Sequence, residues 1–198
     1  MEVVPSVSKV LRSHPSVRDV RLVGSRAESR AHALSDWDLA VETEDFATVS
    51  RDLPELVASL RPLAAQWDPY SSHACYMLLF PGPTKVDLLF LDETREWSPP
   101  WDPSPETLEA IDCHFWDWIL WLEQKRRGGR DEILTKGLED MYDLMLRPMG
   151  AVEPPRSVAA ALAAYLRARG VLEDRFGQKC PRDLEREVRP LLPALPPD

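Results

Sequence analysis

The stretch VRLVGSRAESRAHALSDWDLAVE, Val20 to Glu42, decides the fold of this chain. A short apolar run, Val20 to Val23, ends at Gly24-Ser25. After a polar segment, Asp36-Trp37-Asp38 opens a second apolar run, Leu39 to Val41. Short apolar runs bounded by turn residues are typical of strands. The stretch therefore predicts a strand, a Gly-Ser turn, a short helix or loop, and a second strand that begins with two carboxylates.

The two carboxylates have the spacing of a metal site. Side chains alternate along a strand, so Asp36 and Asp38 are expected on one side while Trp37 points the other way, into packing. Carboxylates that close repel each other unless a cation lies between them. Mg²⁺ suits this place, because it takes one or two carboxylates and completes its shell with water and phosphate oxygens. Gly24 allows close approach of the backbone, and Ser25 with the following N–H groups is expected to hold phosphates.

This arrangement resembles the motif of the nucleotidyltransferase superfamily, which includes DNA polymerase beta and the aminoglycoside nucleotidyltransferases. The family pattern is an apolar strand, Gly-Ser or Gly-Gly, about ten residues, Asp-x-Asp or Asp-x-Glu, and another apolar strand. The small bacterial members are more similar, since they usually carry an Arg after the Ser and a Ser before the first Asp, here Arg26 and Ser35. One departure is Ser29, where those members commonly have a second Gly. The alternative interpretation is a solvated acidic turn between strands.

A second strand pair is predicted around a third carboxylate. The apolar runs Cys75 to Phe80 and Lys85 to Leu91 are separated by Pro81-Gly82-Pro83-Thr84, which predicts a β-hairpin. Asp87 is the only acid in the second run, and a carboxylate in a buried strand is costly unless it is paired or binds a metal. The alternative is an exposed residue on an edge strand. The resemblance implies that Asp87 is the third carboxylate, beside the Asp-x-Asp pair.

The second half of the chain is predicted to be helical. Together with the strands of the first half, this predicts an α/β (α+β) fold, with a small mixed sheet and helices followed by a helical bundle. Glu93 to Pro105 is rich in Trp and Pro and marks a break. We expect a nucleotidyltransferase domain over residues 1–95 and a helical domain over 105–198, with the ligand cleft at their junction. The predicted helices after the second strand are Asp45–Leu60 with Asp45 as N-cap, Ser104–Arg127, Asp131–Arg147, Ser157–Arg169 ending at Gly170, and Pro181–Leu192.

The helix predicted over Ser104–Arg127 mixes aromatic and acidic residues. Such a mixture could stack against and hold a sugar-like or cationic acceptor. The alternative is a helix buried on most sides, with its acids at the water edge. In the next helix, Lys136 is either the lysine that the resemblance implies against a triphosphate or a solvated side chain. The aromatic and acidic residues concerned are Trp116, Trp118, Trp121, Asp112, Asp117 and Glu123.

Composition argues against several classes of protein. Hydrophobic residues make up 44% of the 198 residues, enough for a proper core. A formal net charge of -9 argues against a nonspecific nucleic-acid binder. No apolar run approaches the eighteen or so residues of a membrane span, so no membrane partner is expected. Cys75, Cys113 and Cys180 are odd in number and far apart, which predicts a reducing, cytoplasmic setting and neither a disulfide framework nor a zinc site.

The resemblance implies a Mg²⁺-dependent nucleotidyltransferase with two ions on Asp36, Asp38 and Asp87. It would transfer a nucleotide, most simply AMP from ATP, to a hydroxyl of a small-molecule acceptor, such as an aminoglycoside-like compound. Asp87 could also act as general base. Little discrimination between bases is expected, because the motif contacts phosphates and metals. The implied ligands of the nucleotide are Gly24, Ser25, Arg26 and Lys136.

Two other functions stay open. Some small relatives are antitoxins that nucleotidylate a partner protein, but these often lack a substantial helical extension such as this chain has. A relative could also be non-catalytic and only bind a nucleotide or a partner protein. The presence of all three carboxylates argues against that last function.

Overall fold

Residues 3–31, 35–71, 73–94 and 102–195 are described by a computed structural model of the protein. The chain divides into two units, Met1–Ser98 and Pro99–Asp198. The predicted α/β (α+β) fold, a mixed sheet with helices followed by a helical region, is confirmed. Residues 95–101, which make up most of the predicted break between Glu93 and Pro105, lie outside the described residues.

The first unit is a five-stranded mixed sheet with helices. Its elements are α1 (Val3–Arg12), β1 (Val17–Val23), α2 (Gly24–Ala27), β2 (Trp37–Thr43), α3 (Phe46–Ala58), β3 (Ala64–Trp67), β4 (Ala74–Phe80) and β5 (Thr84–Phe90). The strand order is β1-β2-β5-β4-β3. The central pair, β2 and β5, is parallel, and every other pair in this sheet is antiparallel. The sheet therefore brings together two strands that are far apart in the sequence.

One face of the sheet is packed into an apolar core with α1 and α3. Strand side chains alternate between faces, so every second residue of a strand reaches this core. α3 begins at its predicted N-cap, since the Asp45 side chain accepts a hydrogen bond from the backbone N–H of Thr48 at 3.0 Å. It runs through Pro54 as a single helix, because buried residues on both sides of the proline anchor it. The core includes Val7, Leu11, Leu39, Val41, Val49, Leu53, Val57, Val86 and Leu88.

The predicted hairpin is confirmed as β4 and β5. Their register runs from Ala74 opposite Phe90 to Phe80 opposite Thr84. Gly82 lies in the connecting turn with a φ of 80°, a left-handed conformation that glycine adopts without strain. All residues of β4 are buried, a pattern typical of a strand that is covered on both faces.

The second unit is helical. Its elements are α4 (Leu108–Arg127), α5 (Asp131–Met141), a π-helical segment (Tyr142–Leu146), α6 (Val158–Phe176), α7 (Asp183–Val188) and a 3₁₀ turn (Arg189–Leu191). α4 starts later than predicted, because Ser104 closes a turn in which its carbonyl accepts a hydrogen bond from Leu108 N at 3.0 Å. The helix expected over Asp131–Arg147 changes to π-helical geometry at Tyr142.

The predicted end of α6 at Gly170 is wrong. The helix continues to Phe176 and ends at Gly177, whose φ of 66° is the left-handed conformation common at helix C-termini. A glycine inside a helix costs only about 1 kcal/mol relative to alanine. Buried side chains on either side of Gly170, among them Arg169 and Leu172, offset that cost.

Asp112, Asp117 and Glu123 of α4 are buried, whereas the buried-helix interpretation expected them at the water edge. Asp112 is buried and accepts hydrogen bonds from Trp116 Nε1 at 3.2 Å, from Arg169 Nη1 at 3.0 Å and from the Tyr165 hydroxyl. Burial raises the pKa of Asp112, against the opposing effect of those hydrogen bonds. Glu123 is also buried and is bound by two arginines of the same helix. Asp112 and Glu123 belong to the helical core because cationic or hydroxyl donors satisfy them.

None of the helices in the described ranges combines the length and the apolar character that a membrane crossing requires.

Candidate active site

Asp38 and Asp87 are direct neighbours in the sheet. They are opposite each other in the register of the parallel β2–β5 pair. Neighbouring strands lie about 4.8 Å apart, and residues in register point to the same face. Leu39 and Leu88, one position on, point into the core on the other face. Two carboxylates separated by some fifty residues of sequence are therefore brought side by side.

The side chain of Asp87 is 13% exposed, and β5 lies between β2 and β4. The alternative of an exposed residue on an edge strand is therefore wrong.

Gly24 brings the β1–α2 turn against Asp38. Val23, the last residue of β1, is opposite Asp38 in the antiparallel register. Gly24 follows with a φ of 69°, and a Cβ built on it would overlap Asp38 Oδ2 and lie 3.0 Å from Asp38 Cγ. The position thus needs a glycine for two reasons, its left-handed backbone and its contact with the carboxylate. Both halves of the sequence motif meet at Asp38.

Ser25 and Ser29 lie in the short helical turn that follows. Ser25 is inside α2, and its carbonyl accepts a hydrogen bond from Arg30 N at 2.9 Å. Ser29 has a φ of 56°, in the left-handed region. A residue with a Cβ is disfavoured there by about 1 kcal/mol or more. Glycine, the residue expected here from the resemblance, would adopt this backbone conformation without that strain.

Arg26 contacts the segment that leads into β2. Its Nε donates to the carbonyls of Ser35 at 2.9 Å and Asp36 at 3.1 Å, and its Nη2 donates to Ser35 at 2.6 Å. Its guanidinium also lies over the Trp37 ring. Trp37 packs against the apolar core, as predicted. These contacts link α2 to the start of β2, on which the Asp-x-Asp pair lies.

Asp36 immediately precedes β2, with its side chain partly exposed. Within the described ranges, no three or more His, Cys, Asp or Glu side chains are grouped so as to hold a metal ion. Of the three predicted metal ligands, the sheet register pairs Asp38 with Asp87.

Lys85 lies beside the candidate carboxylates, and sequence reasoning missed it. It lies two residues before Asp87 on β5, and the Lys85 Nζ to Asp87 Oδ2 distance is 3.3 Å. Both side chains are largely buried, with Lys85 9% exposed. The spacing of Lys85 and Asp87 could have indicated this contact, because residues i and i+2 of a strand share a face.

Lys136, the lysine implied by the resemblance, lies on α5 in the second unit and is 69% exposed. Its ammonium is hydrogen-bonded to Asp140, one helical turn later, and this hydrogen bond raises the pKa of Lys136. Lys85, in contrast, contacts one of the predicted site carboxylates directly.

The chemistry of the carboxylate pair fits a hard divalent cation. Asp38 and Asp87 offer oxygen ligands on one face of the sheet, and Mg²⁺ prefers oxygen ligands. The Lys85 ammonium lies 3.3 Å from one of the two carboxylates. Neighbouring carboxylates favour a cation between them, because their like charges repel.

Among solved structures similar to this chain is an aminoglycoside 6-adenyltransferase from Bacillus subtilis, with 12% sequence identity and a TM-score of 0.30 over 94% of each chain. No protein-family model matches the chain, and no curated protein matches it. A TM-score of 0.30 is too low to support an inference about substrate or site, so the residues themselves have to support any function.

Proposed function

We propose that this protein is a Mg²⁺-dependent nucleotidyltransferase, which transfers a nucleotide, most simply AMP from ATP, to a hydroxyl of a small-molecule acceptor. One observation supports this above all others. Asp38 is in register with Asp87 on one side and is contacted by Gly24 on the other. A carboxylate pair next to a glycine turn fits a metal-bound triphosphate, because Mg²⁺ is usually held by one or two carboxylates together with phosphate oxygens.

In this proposal, Gly24 and Ser25 hold the β- and γ-phosphates through backbone N–H groups and a hydroxyl. Asp36, Asp38 and Asp87 would hold Mg²⁺, for which two ions are expected. When bound, Mg²⁺ lowers the pKa of an attacking hydroxyl and neutralises charge on departing pyrophosphate. Gly24 supports this function because its contact with Asp38 fixes the distance between phosphate turn and carboxylates.

The proposed transfer forms one bond and breaks one. The acceptor oxygen forms a bond to the α-phosphorus, and the bond from that phosphorus to the oxygen bridging to the β-phosphorus breaks. The electron pair of the broken bond leaves with pyrophosphate. The acceptor proton passes to the Asp87 carboxylate, the candidate general base, or to water.

A surface cavity of the helical unit supports a cationic, sugar-like acceptor. The cavity has a volume of about 300 Å³, within the size range of small-molecule sites. Indole rings offer flat faces for sugar rings or cations, and carboxylates attract amino groups. Its lining is Trp118, Trp121, Glu132, Ile133, Lys136, Gly137 and Asp140, and within it the Lys136 ammonium is paired with Asp140.

Titration calorimetry with MgATP tests the nucleotide part of the proposal. The double variant Asp36→Asn with Asp38→Asn should lose Mg²⁺-dependent ATP binding, and unchanged binding would refute the metal site. Thermal shifts with Mg²⁺ and ATP, GTP, CTP or UTP test the base. A ligand at 100 times its Kd adds about 2.7 kcal/mol of stability, so similar shifts with all four nucleotides support a phosphate-centred site.

Pyrophosphate release from MgATP in the presence of aminoglycosides tests the acceptor. Release that depends on one of these compounds, and disappears in the Asp36→Asn and Asp38→Asn double variant, would support the proposed acceptor class. MgATP binding without release for any compound would point to a protein acceptor or to a non-catalytic nucleotide binder.

A further inference from the structure

The buried ion pair of Lys85 and Asp87 lies at the centre of the candidate site. Lys85 Nζ is 3.3 Å from Asp87 Oδ2, and both residues belong to β5. Asp38 is opposite Asp87 on β2. Alternation places all three side chains on the same face of the sheet. One ammonium and two carboxylates therefore share this part of the sheet.

A buried ammonium is costly unless a nearby charge compensates it. Asp87 provides that compensation, and the neighbouring Asp38 adds a second negative charge. Lys85 is thus a cationic partner that the protein itself supplies to this carboxylate pair. A divalent ion that binds Asp87 oxygens has to compete with this ammonium, because like charges a few Å apart repel strongly in a largely buried site.

We propose that Lys85 is a residue of the nucleotide site, in which its ammonium is the counter-ion of Asp87 until a divalent ion replaces it, and then binds the triphosphate. This inference rests on the proposed function. The flexible four-carbon stem of lysine lets its charge move by several Å while its backbone stays in the strand. An ammonium is a suitable point charge for phosphate oxygens. One residue would then link ion loading to nucleotide binding.

A purely structural role for Lys85 makes the opposite prediction for ion binding. If Lys85 only neutralises a buried carboxylate, its loss leaves Asp87 with an uncompensated charge, destabilises the strand, and weakens the binding of ion and nucleotide alike. Under our proposal the two affinities change in opposite directions, because the ammonium competes with the ion but assists the triphosphate.

The experiment measures Mn²⁺ binding by electron paramagnetic resonance without nucleotide, and MnATP binding by calorimetry. We expect Lys85→Met to bind Mn²⁺ roughly tenfold more tightly and MnATP roughly tenfold more weakly than wild type. Lys85→Arg, which keeps the charge, should stay closer to wild type in Mn²⁺ affinity. Lys9→Met is the matched control, since Lys9 is an exposed lysine on α1 of the same unit and should change neither affinity.

Lys85→Met could misfold because it leaves the Asp87 charge uncompensated, so the same change is also tested in the variant Asp87→Asn, which lacks that charge. Because Asp87→Asn removes a proposed ion ligand, ATP binding is measured in this background without a divalent ion, and the additional change Lys85→Met should weaken it roughly tenfold, since the ammonium is the group that contacts phosphate. No effect of Lys85→Met in that background would overturn the inference. So would a weaker or unchanged Mn²⁺ affinity in the Lys85→Met single variant, provided that wild type binds both ligands. Wild-type protein that binds neither Mn²⁺ nor MnATP would overturn the proposed function, and this inference with it.

Discussion

The guanidinium carbon of Arg26 lies 4.0 Å from the centre of the Trp37 ring. The same guanidinium donates hydrogen bonds to the carbonyls of Ser35 and Asp36. Because Arg26 follows the Gly-Ser turn and Trp37 begins β2, these contacts hold the two parts of the sequence motif together. The resemblance implied a nucleotide ligand at this position. That role stays a prediction, and the contacts of Arg26 within the protein predict in addition that it positions the segment that carries Asp36.

Replacement of Arg26 should therefore cost stability. Hydrogen bonds from a charged group contribute about 1.5–3 kcal/mol, and a cation–π contact adds about 0.5–1 kcal/mol at a partly exposed site. We expect Arg26→Ala to lower the free energy of unfolding by about 2 kcal/mol, measured by urea denaturation, and to weaken MgATP binding. Arg26→Lys should keep only part of the wild-type stability and MgATP affinity, since lysine lacks the planar guanidinium that reaches two carbonyls.

Arg30→Ala is the control for Arg26, because Arg30 lies close by and is exposed, with its side chain paired to Glu28. Exposed ion pairs contribute about 0–1 kcal/mol, so this variant should stay close to wild type. Equal stability of Arg26→Ala and Arg30→Ala would contradict a positioning role for Arg26.

Alanine variants of two glycines with similar backbone conformations distinguish the effect of backbone strain from the effect of contact with Asp38. Gly24 and Gly82 have φ values of 69° and 80°, so an alanine is disfavoured by about 1–2 kcal/mol at either position. A Cβ at Gly24 meets the Asp38 carboxylate, whereas a Cβ at Gly82 meets nothing within 4 Å. We expect both alanine variants to lose similar stability from strain. Gly24→Ala alone should also lose MgATP affinity, because the added methyl group displaces the Asp38 carboxylate. A loss of tenfold or more corresponds to at least about 1.4 kcal/mol of binding free energy. Calorimetry on both variants measures this. Equal MgATP affinities would show that Gly24 has no role beyond its turn.

The strands that carry the motif could be predicted because clear turn residues bound their apolar runs. Gly24-Ser25 ends β1, and the Pro-Gly turn separates β4 from β5. β3 was missed, since its sequence Ala64-Ala65-Gln66-Trp67 is short and weakly apolar, and its pairing with β4 identifies it. Local sequence also gave no means of predicting that β2 pairs in parallel with β5, because such pairing depends on the path of the chain between them.

Lys85 and Gly170 show two further limits of a sequence-based argument. The strand period of two placed Lys85 on the face of Asp87, but a lysine at a strand end is usually solvated, and only the structure shows it buried. Gly170 was predicted to end the helix because glycine is common at helix C-termini. The buried residues that follow it in α6 extend the helix to Phe176, and burial of this kind is a tertiary effect.

Two helical glycines of the second unit should respond to alanine with opposite signs. A Cβ at Gly137 would lie 2.7 Å from Leu122 Cδ2 and 2.9 Å from Trp121 Cζ3, so α5 packs closely on α4 at this point. Overpacking of this kind costs about 1–3 kcal/mol. At Gly170 a Cβ meets nothing within 4 Å, and alanine inside a helix is favoured over glycine by about 0.5–1 kcal/mol. Urea denaturation should show Gly137→Ala destabilised and Gly170→Ala stabilised. A gain in stability for both would show that α5 can shift to accept the methyl group.

Glu173 should make the stability of the helical unit depend on acid pH. Its side chain is 3% exposed. Burial acts to raise the pKa of Glu173, but hydrogen bonds from Arg182 and from the backbone N–H of Cys180 outweigh it and lower the pKa to about 2, from an ordinary value of 4.5. A carboxyl with a lowered pKa stabilises the fold above its unfolded value, and this contribution is lost as the pH falls through the folded value. The contribution of Glu173 is therefore complete above about pH 4.5 and disappears towards pH 2.

Glu173→Gln tests this dependence, with Asp174→Asn as control, because Asp174 is the next residue and is 80% exposed. A difference of this size between folded and unfolded pKa corresponds to roughly 3 kcal/mol. Removing one partner of a buried ion pair also costs about 3 kcal/mol. We expect Glu173→Gln to be less stable than wild type by about that amount at pH 7, and the difference to shrink towards zero near pH 2. Asp174→Asn should differ little at either pH. A deficit of Glu173→Gln that stays constant between pH 7 and pH 2 would show that the glutamate acts through packing and not through its charge.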